Sequence, residues 1–398
     1  MVAVSIISFV ALLVVLLALS YLLVLALASM REPPAVVWRE PSSRFAIAIP
    51  AHNEASVIAA TVGRLRSLEY PAELFAIHVV ADHCSDATAT LAHQAGAIVH
   101  ERHNGPRTGK GAALAWLFER VLDNHYDAVV VFDSDTRVES DFLRVMDARL
   151  AQGAQAVQGQ HIIRNPGSGW FPALTWAMFL VDNRIQNLGR SNLGWSAKNM
   201  GDSICIRADI LQRLGWGEGL TEDYQLRQRL LLAGTKISYE PVAKGYGEAP
   251  RTWAQARAQR ARWLRGTQMA SRQLARHLLV AAIQRRDLAL LDGALQAYLP
   301  SFSTLTVVSV LALLAQILCA RLGGPVVPAT LIYVWTGVCA TLFAYPLFGL
   351  ALEKAPARAY FVILTGPFFI LWRTALAITA RYSRRPVVWV RTTHGETK

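Results

Sequence analysis

Asp133-Ser134-Asp135 directly follows a continuous apolar run, Ala128 to Phe132. Two carboxylates one residue apart at the end of a buried strand can hold a hard divalent cation that also takes diphosphate oxygens. Such a cation neutralises charge building on a leaving diphosphate. An isolated Asp-x-Asp is more often a surface turn; the absence of a polar spacer after the apolar run favours the metal reading. Asp82 also ends an apolar run, and either accepts hydrogen bonds from a base or ribose or caps a turn, while Asp86 reads as a helix N-cap. Asn53 and Glu54, at another strand-to-helix turn, either cap the helix or read the edge of a base. Thr108-Gly109-Lys110-Gly111 opens a helix, where exposed amides and a lysine favour phosphate. It lacks Walker spacing, so a plain surface turn is the alternative. Thr221-Glu222-Asp223 precedes a helix and offers a base toward an acceptor hydroxyl, or merely an acidic first turn. In Gln259-Arg260-Ala261-Arg262-Trp263, helical spacing puts Gln259, Arg262 and Trp263 on one face. Arginine binds diphosphate bidentately, and tryptophan offers a flat apolar face to a sugar ring; a generic amphipathic stripe is the competing reading.

The elements that must position these residues alternate. Phe45–Ile49, Ala76–Ala81, Ala97–His100 and Ala128–Phe132 read as strands. Glu54–Leu68, Asp86–Ala95 and Gly111–Asn124 read as helices between them. This predicts an α/β domain with a mostly parallel sheet, with ligands beyond the carboxyl ends of the strands. Glycine and tryptophan are then frequent through Gly217, before a helix at Tyr224–Ala233 and a strand at Lys236–Glu240.

The flanks are apolar. Of the 398 residues 53% are hydrophobic and 17% charged, where soluble domains carry about a quarter charged. Val2 to Ser29 has no charged residue and the first basic residue is Arg31, which predicts a retained membrane helix rather than a signal peptide. Thr252–Asp292 is arginine-rich with an apolar stripe and reads as a helix pair in the membrane interface. Tyr298–Ala320 and Val326–Leu352 are long enough to span, whereas Tyr360–Ala380 is interrupted by Pro367 and Arg373 and reads as a broken, re-entrant helix, with a third C-terminal span as the alternative. The basic tail, Arg381–Lys398, favours the cytoplasm. The expected organisation is a membrane helix over 1–30, a cytoplasmic catalytic domain over 31–250, interface helices over 251–295 and a membrane region with tail over 296–398. The net charge of +12 concentrates between Arg251 and Arg286, beside an apolar run, so membrane lipids and a phosphorylated ligand are favoured and nucleic acid is not. Cys84, Cys205, Cys319 and Cys339 lack paired spacing and read as reduced structural thiols.

Asp82, Asp133-Ser134-Asp135, Thr221-Glu222-Asp223 and Gln259-Arg260-Ala261-Arg262-Trp263, in that order, resemble the membrane-bound family 2 glycosyltransferases. That group includes cellulose, hyaluronan and chitin-oligosaccharide synthases and ceramide glucosyltransferases. The likeness runs from about Phe45 to Gly266. It implies a GT-A fold and Mg²⁺ or Mn²⁺ bound by Asp135 with Asp133. Asn53, Glu54, Asp82, Lys110, Asp133 and Arg262 would contact the donor, and Glu222, Gln259 and Trp263 the acceptor and diphosphate side. Asp223 would be the general base. The implied reaction is inverting transfer from a nucleotide-diphosphate sugar to a lipid-linked or oligosaccharide acceptor, forming a beta linkage at a bacterial inner membrane. A processive polysaccharide synthase is the alternative. Two stretches depart from the better-known synthases: Asp82-His83-Cys84-Ser85, and Met200-Gly201-Asp202-Ser203 on the expected acceptor side.

Overall fold

The computed structural model describes residues 2–122, 125–321 and 330–382. Helix α1 (Val2–Ala28) leads through an extended segment to β1 (Phe45–Ala51). There follow α2 (Ile58–Arg66), β2 (Phe75–Asp82), α3 (Thr88–Gln94), β3 (Ile98–Arg102), α4 (Lys110–Val121) and β4 (Ala128–Val131). Both faces of β1 and β4 are buried. Phe45, Ile47, Ile49 and Val130 face one core with α2, and Ala46, Ala48, Val129 and Val131 face a second core with Leu114, Leu117 and Phe118 of α4. Burial on both faces explains why these strands are unbroken apolar runs. β1 pairs in parallel with β2 and β4, and β2 in parallel with β3.

The second half of the sheet differs from the expected pattern. β5 (Arg137–Val138), α5 (Phe142–Ala151) and β6 (Ala156–Ile163) follow β4. Then α6 (Trp170–Val181) runs through a π-helical stretch, Asp182–Leu188, into α7 (Gly189–Asn192), and β7 (Ile204–Arg207) precedes α8 (Ala208–Leu214), α9 (Glu222–Leu232) and β8 (Ile237–Gly247). β7 lies antiparallel between β4 and β6, so the order is β3-β2-β1-β4-β7-β6-β8-β5 and the sheet is mixed. The sequence hides this half because β7 has four residues and β6 carries two buried glutamines, Gln158 and Gln160, inside its apolar run.

The arginine-rich region is a helix pair, as expected, formed by α10 (Trp253–Arg285) and α11 (Leu288–Tyr298). α12 (Phe302–Arg321) and α13 (Thr330–Leu352) follow, and then α14 (Ala357–Leu364) and α15 (Gly366–Tyr382). Among the described residues three helices, α1, α12 and α13, are long and apolar enough to cross a membrane. α14 and α15 are bent by 52° relative to each other. The break at Thr365 precedes Pro367, whose missing N–H costs nothing in the first turn of a helix. The expected turn at 321–325 and the tail beyond Tyr382 lie outside the described residues.

A buried ionic cluster ties these parts together. Asp292 of α11 accepts from Arg190 Nε of α7 at 3.0 Å, from Arg227 Nη2 of α9 at 2.9 Å and from the Tyr21 hydroxyl of α1 at 2.7 Å. Burial opposes its ionisation, but Arg190 and Arg227 more than offset this and hold its pKa below the usual carboxylate range. Its contribution to stability is therefore present above the unfolded-state pKa and fades as pH falls through the folded-state value. Removing one partner of such a buried cluster costs about 3–5 kcal/mol. Asp292→Asn is expected to lower the thermal unfolding midpoint of the nanodisc-embedded protein markedly, and an unchanged midpoint would refute the assignment.

Candidate active site

The carboxyl ends of β1, β2 and β4 lie along one edge of the sheet, and the sequence motifs gather there. At the β1 turn Asn53 adopts a left-handed backbone, and its Oδ1 accepts the Ser85 N–H at 2.8 Å. The neighbouring Glu54 N–H donates to Thr88 Oγ1 at 2.7 Å. These residues thus join the first two strand-end turns. Asp86 Oδ1 accepts the Thr88 N–H at 3.0 Å, but the N-cap position is Ala87, so Asp86 closes the turn one residue before the cap expected of it. Asp82 is buried, and its Oδ1 accepts from Arg102 and faces His83 Nδ1 at 2.9 Å.

At the end of β4, Asp133 and Asp135 are both partly exposed and Ser134 is buried. The Lys110 ammonium, at the start of α4, donates to Asp133 and to the Gly201 carbonyl. Burial opposes the Lys110 charge, but Asp133, Glu222 and Asp202 outweigh it and raise its pKa. The loop before β7 arrives antiparallel beside β4 and brings Asp202, which the motifs did not single out as a site residue. Its Oδ1 accepts the Asp133 N–H and the Thr136 hydroxyl, each at 3.1 Å, and its Oδ2 meets His161 Nδ1 at 2.8 Å. Burial again opposes the charges on both groups. Their mutual pairing keeps Asp202 ionised, and it raises the His161 pKa with help from Asp133 and Asp135. The buried Gln158 fixes this loop, donating to Asp202 O at 2.8 Å and accepting from Met200 N at 2.9 Å. An acid between a glycine and the apolar run Ile204-Cys205-Ile206 is the sequence signal that marks Asp202.

Glu222 and Asp223 open α9 on the far side of Lys110. Gly201 has φ +79°, and a β-carbon there would stand 3.2 Å from Asp223 Oδ2, which shows how closely this carboxylate lies to the Asp202 loop. Burial, and then the charge of Asp223, push the Glu222 pKa up to about 7. Burial raises that of Asp223 as well. Arg262 Nη1 donates to the Leu220 carbonyl at 3.1 Å. Gly266, one turn further along α10, permits this approach, since a β-carbon there would come within 2.6 Å of the Thr221 side chain. Trp263 lies under the Arg260 guanidinium at 5.0 Å, and Gln259 is half-buried on the same helix. The sequence-selected residues thus form two groups. Lys110, Asp133, Glu222, Asp223 and Arg262 act on one another in one charged cluster, with Asp135 near His161 at its side, while Asn53, Glu54 and Asp82 occupy the neighbouring strand-end turns.

The raised carboxylates predict a pH effect. Glu222 and Asp223 titrate as a pair, and a reaction that needs the pair ionised loses activity as pH falls through the raised value. The acid limb of kcat/KM is expected near pH 7. Glu222→Gln removes the like charge and is expected to move that limb downward. A limb near pH 4, the ordinary carboxylate position, would contradict this environment.

Asp133 and Asp135 also fit a divalent cation: both are partly solvent-facing, acidic and close enough to act together on His161. No third His, Cys, Asp or Glu joins them in a cluster among the described residues. That suits a cation whose remaining positions are filled by ligand oxygens and water.

Over 246 residues the chain is 28% identical to a probable glycosyltransferase, YdaM, of Bacillus subtilis, a stretch covering 58% of this chain and 57% of that protein. It is 29% identical over 194 residues to the beta-monoglucosyldiacylglycerol synthase of Trichormus variabilis, covering 47% of this chain and 41% of the synthase. The chain thus spans about half the length of these curated relatives. The solved mannosyltransferase PcManGT of Pyrobaculum calidifontis, in complex with GDP-Man and Mn²⁺, superposes with a TM-score of 0.60 at 17% identity. That alignment covers 96% of this chain and 99% of the other, and the shared fold is GT-A. The profile described as glycosyltransferase-like family 2 matches residues 41–266, more than half of the sequence, and the chain belongs to that family.

Proposed function

We propose that this chain is an inverting, metal-dependent glycosyltransferase that moves a sugar from a nucleoside-diphosphate sugar to a lipid-linked or saccharide acceptor at a membrane, giving a beta linkage. The observation that carries the reading is the convergence of Asp133, Lys110 and Asp223 around the Gly201 loop at the carboxyl end of β4, with Asp135 two residues after Asp133. A carboxylate pair beside a raised carboxylate separates leaving-group chemistry from base chemistry.

In this reading Asp135 and Asp133 hold Mg²⁺ or Mn²⁺, which supplies charge neutralisation at the departing diphosphate. Lys110 and Arg262 add positive charge on the same side, and Asn53, Glu54 and Asp82 form the nucleoside end of the donor site. Asp223 takes the proton from the acceptor hydroxyl as that oxygen attacks the anomeric carbon from the face opposite the leaving group. Burial keeps the Asp223 pKa raised, and Trp263 and Gln259 line the acceptor side. The names of two proteins described above, a glucosyldiacylglycerol synthase and a mannosyltransferase bound to GDP-Man and Mn²⁺, support a lipid acceptor and a nucleotide-sugar donor. Residues 1–30 act as a membrane helix, 31–250 as the catalytic domain, 251–295 as interface helices and 296–398 as a membrane or re-entrant region with a cytoplasmic tail, with the catalytic face in the cytoplasm at a bacterial inner membrane.

Membranes carrying the full chain, incubated with radiolabelled UDP- and GDP-sugars, test the reading. Chloroform-soluble product with inverted anomeric configuration is expected. High-molecular-weight product would favour a processive synthase instead, and no transfer from any donor would overturn the proposal.

A further inference from the structure

Arg260 lies two residues before Arg262 on α10, yet it faces a different space. Arg262 reaches Leu220, whereas Arg260 turns toward α6 and α15. Its guanidinium carbon stands 5.9 Å from the ring centre of Phe171, 5.0 Å from Trp263 and 5.3 Å from Phe369. The residue is 8% exposed, and its Nε has no hydrogen-bond partner among the described residues. Arg373 stands one helical turn after Phe369 on α15 and is close enough to oppose the Arg260 charge. Burial and this like charge together lower the Arg260 pKa. The Arg260 guanidinium is thus enclosed by three rings with like-charged Arg373 nearby, and the carboxylate that acts on both, Asp182, is held by Lys198.

Further tryptophans flank this ring cluster. Trp253 is exposed, and its ring centre lies 5.5 Å from that of Trp170 and 5.2 Å from that of Trp372. Tryptophan is enriched where hydrocarbon meets headgroups. Uncompensated charge in such surroundings is costly, and an entering anion offsets that cost. Guanidinium forks match phosphate oxygens bidentately, and a phosphate monoester carries a charge of about −1.5 to −2, close to the two positive charges present. Trp263 is a wall shared with the acceptor side of the proposed catalytic pocket.

We propose that Arg260 and Arg373 bind a phosphate group carried by the lipid acceptor, held beside Trp263 with its apolar tail directed into the membrane. This rests on the glycosyltransferase reading for the word acceptor, but the anion site can be tested without transfer.

The full chain in phosphatidylcholine nanodiscs is doped with either phosphatidic acid or diacylglycerol, two lipids that differ in the phosphate, and retention is read by native mass spectrometry. Wild type is expected to retain phosphatidic acid about tenfold or more over diacylglycerol. Arg260→Gln and Arg373→Gln should abolish that preference, Arg260→Lys should keep part of it, and affinity for the nucleotide sugar should be unchanged. If Arg260→Gln fails to elute as a single folded species, Arg260→Lys and Arg373→Gln carry the comparison. Equal retention of the two lipids by wild type overturns the proposal. Displacement by inorganic phosphate at an affinity equal to that of phosphatidic acid overturns the lipid assignment. Loss of donor affinity in step with lipid affinity assigns the arginines to the donor and overturns it too. If phosphatidic acid is preferred but no sugar is ever transferred, the anion site stands and the glycosyltransferase reading fails.

Discussion

Asp223→Asn is expected to transfer sugar about 10²- to 10⁴-fold more slowly than wild type, the usual cost of removing a positioned base. The amide keeps the shape of the side chain but cannot take a proton. Donor affinity should survive, because Lys110 and Arg262 make their hydrogen bonds to Asp133 and to the Leu220 carbonyl and Asp133 and Asp135 are intact. Stopped assays with excess acceptor give the rate, and calorimetric titration with nucleotide sugar gives the affinity. Wild-type transfer by the variant would move the base elsewhere, with buried Glu222 the next candidate. Lost donor affinity would instead make Asp223 part of the nucleotide site.

The second large effect is expected at Asp135. A divalent cation supplies several kcal/mol of transition-state stabilisation, and each 1.4 kcal/mol is a factor of ten in rate. Asp135→Asn should therefore lower transfer by roughly 10²- to 10³-fold. Chelation with EDTA should do the same to wild type, with activity restored by added Mg²⁺ or Mn²⁺. Circular dichroism and the unfolding midpoint should change little, since Asp135 is partly exposed at a strand end. Full activity in EDTA, with no tightly held metal by mass spectrometry, would exclude the metal-dependent mechanism. Asp133 is the less clean target, because Asp133→Asn also releases Lys110 from its carboxylate.

The legible part of this protein is its local part. β1 and β4 are apolar on both faces and end at polar residues, so both the strands and the position of Asp133 could be read from the chain. The Asp202–His161 pair could not, because its partners are 41 residues apart and meet only through the antiparallel insertion of β7. Helix α6 was equally hidden. Trp170–Val181 is apolar on most sides because it packs against α13 and α14 as well as against β6 of the sheet, so it lacks the stripe of an ordinary domain helix. On α10 the spacing placed Gln259, Arg262 and Trp263 on one face. It could not show that Arg260 is the arginine enclosed by rings from α6 and α15, since that depends on elements far away in the chain.

Asp292 and Tyr21 are separated by 271 residues and share one hydrogen bond. Arg227, in the same cluster, is one helical turn after Asp223 on α9. A fragment cut at 31 and 250 would keep every motif residue up to Asp223. It would strand two buried arginines, because Tyr21 and Asp292 would both be missing. The smallest portion of this chain that can be produced as a working catalyst is therefore larger than its family domain and includes the first membrane helix. With α1 in the bilayer, as proposed above, the helix that carries Asp223 is fastened to a rod in the membrane. Lipids that tilt that rod will be felt at the reacting oxygen, so detergent and lipid choice should be treated as part of the enzyme's composition.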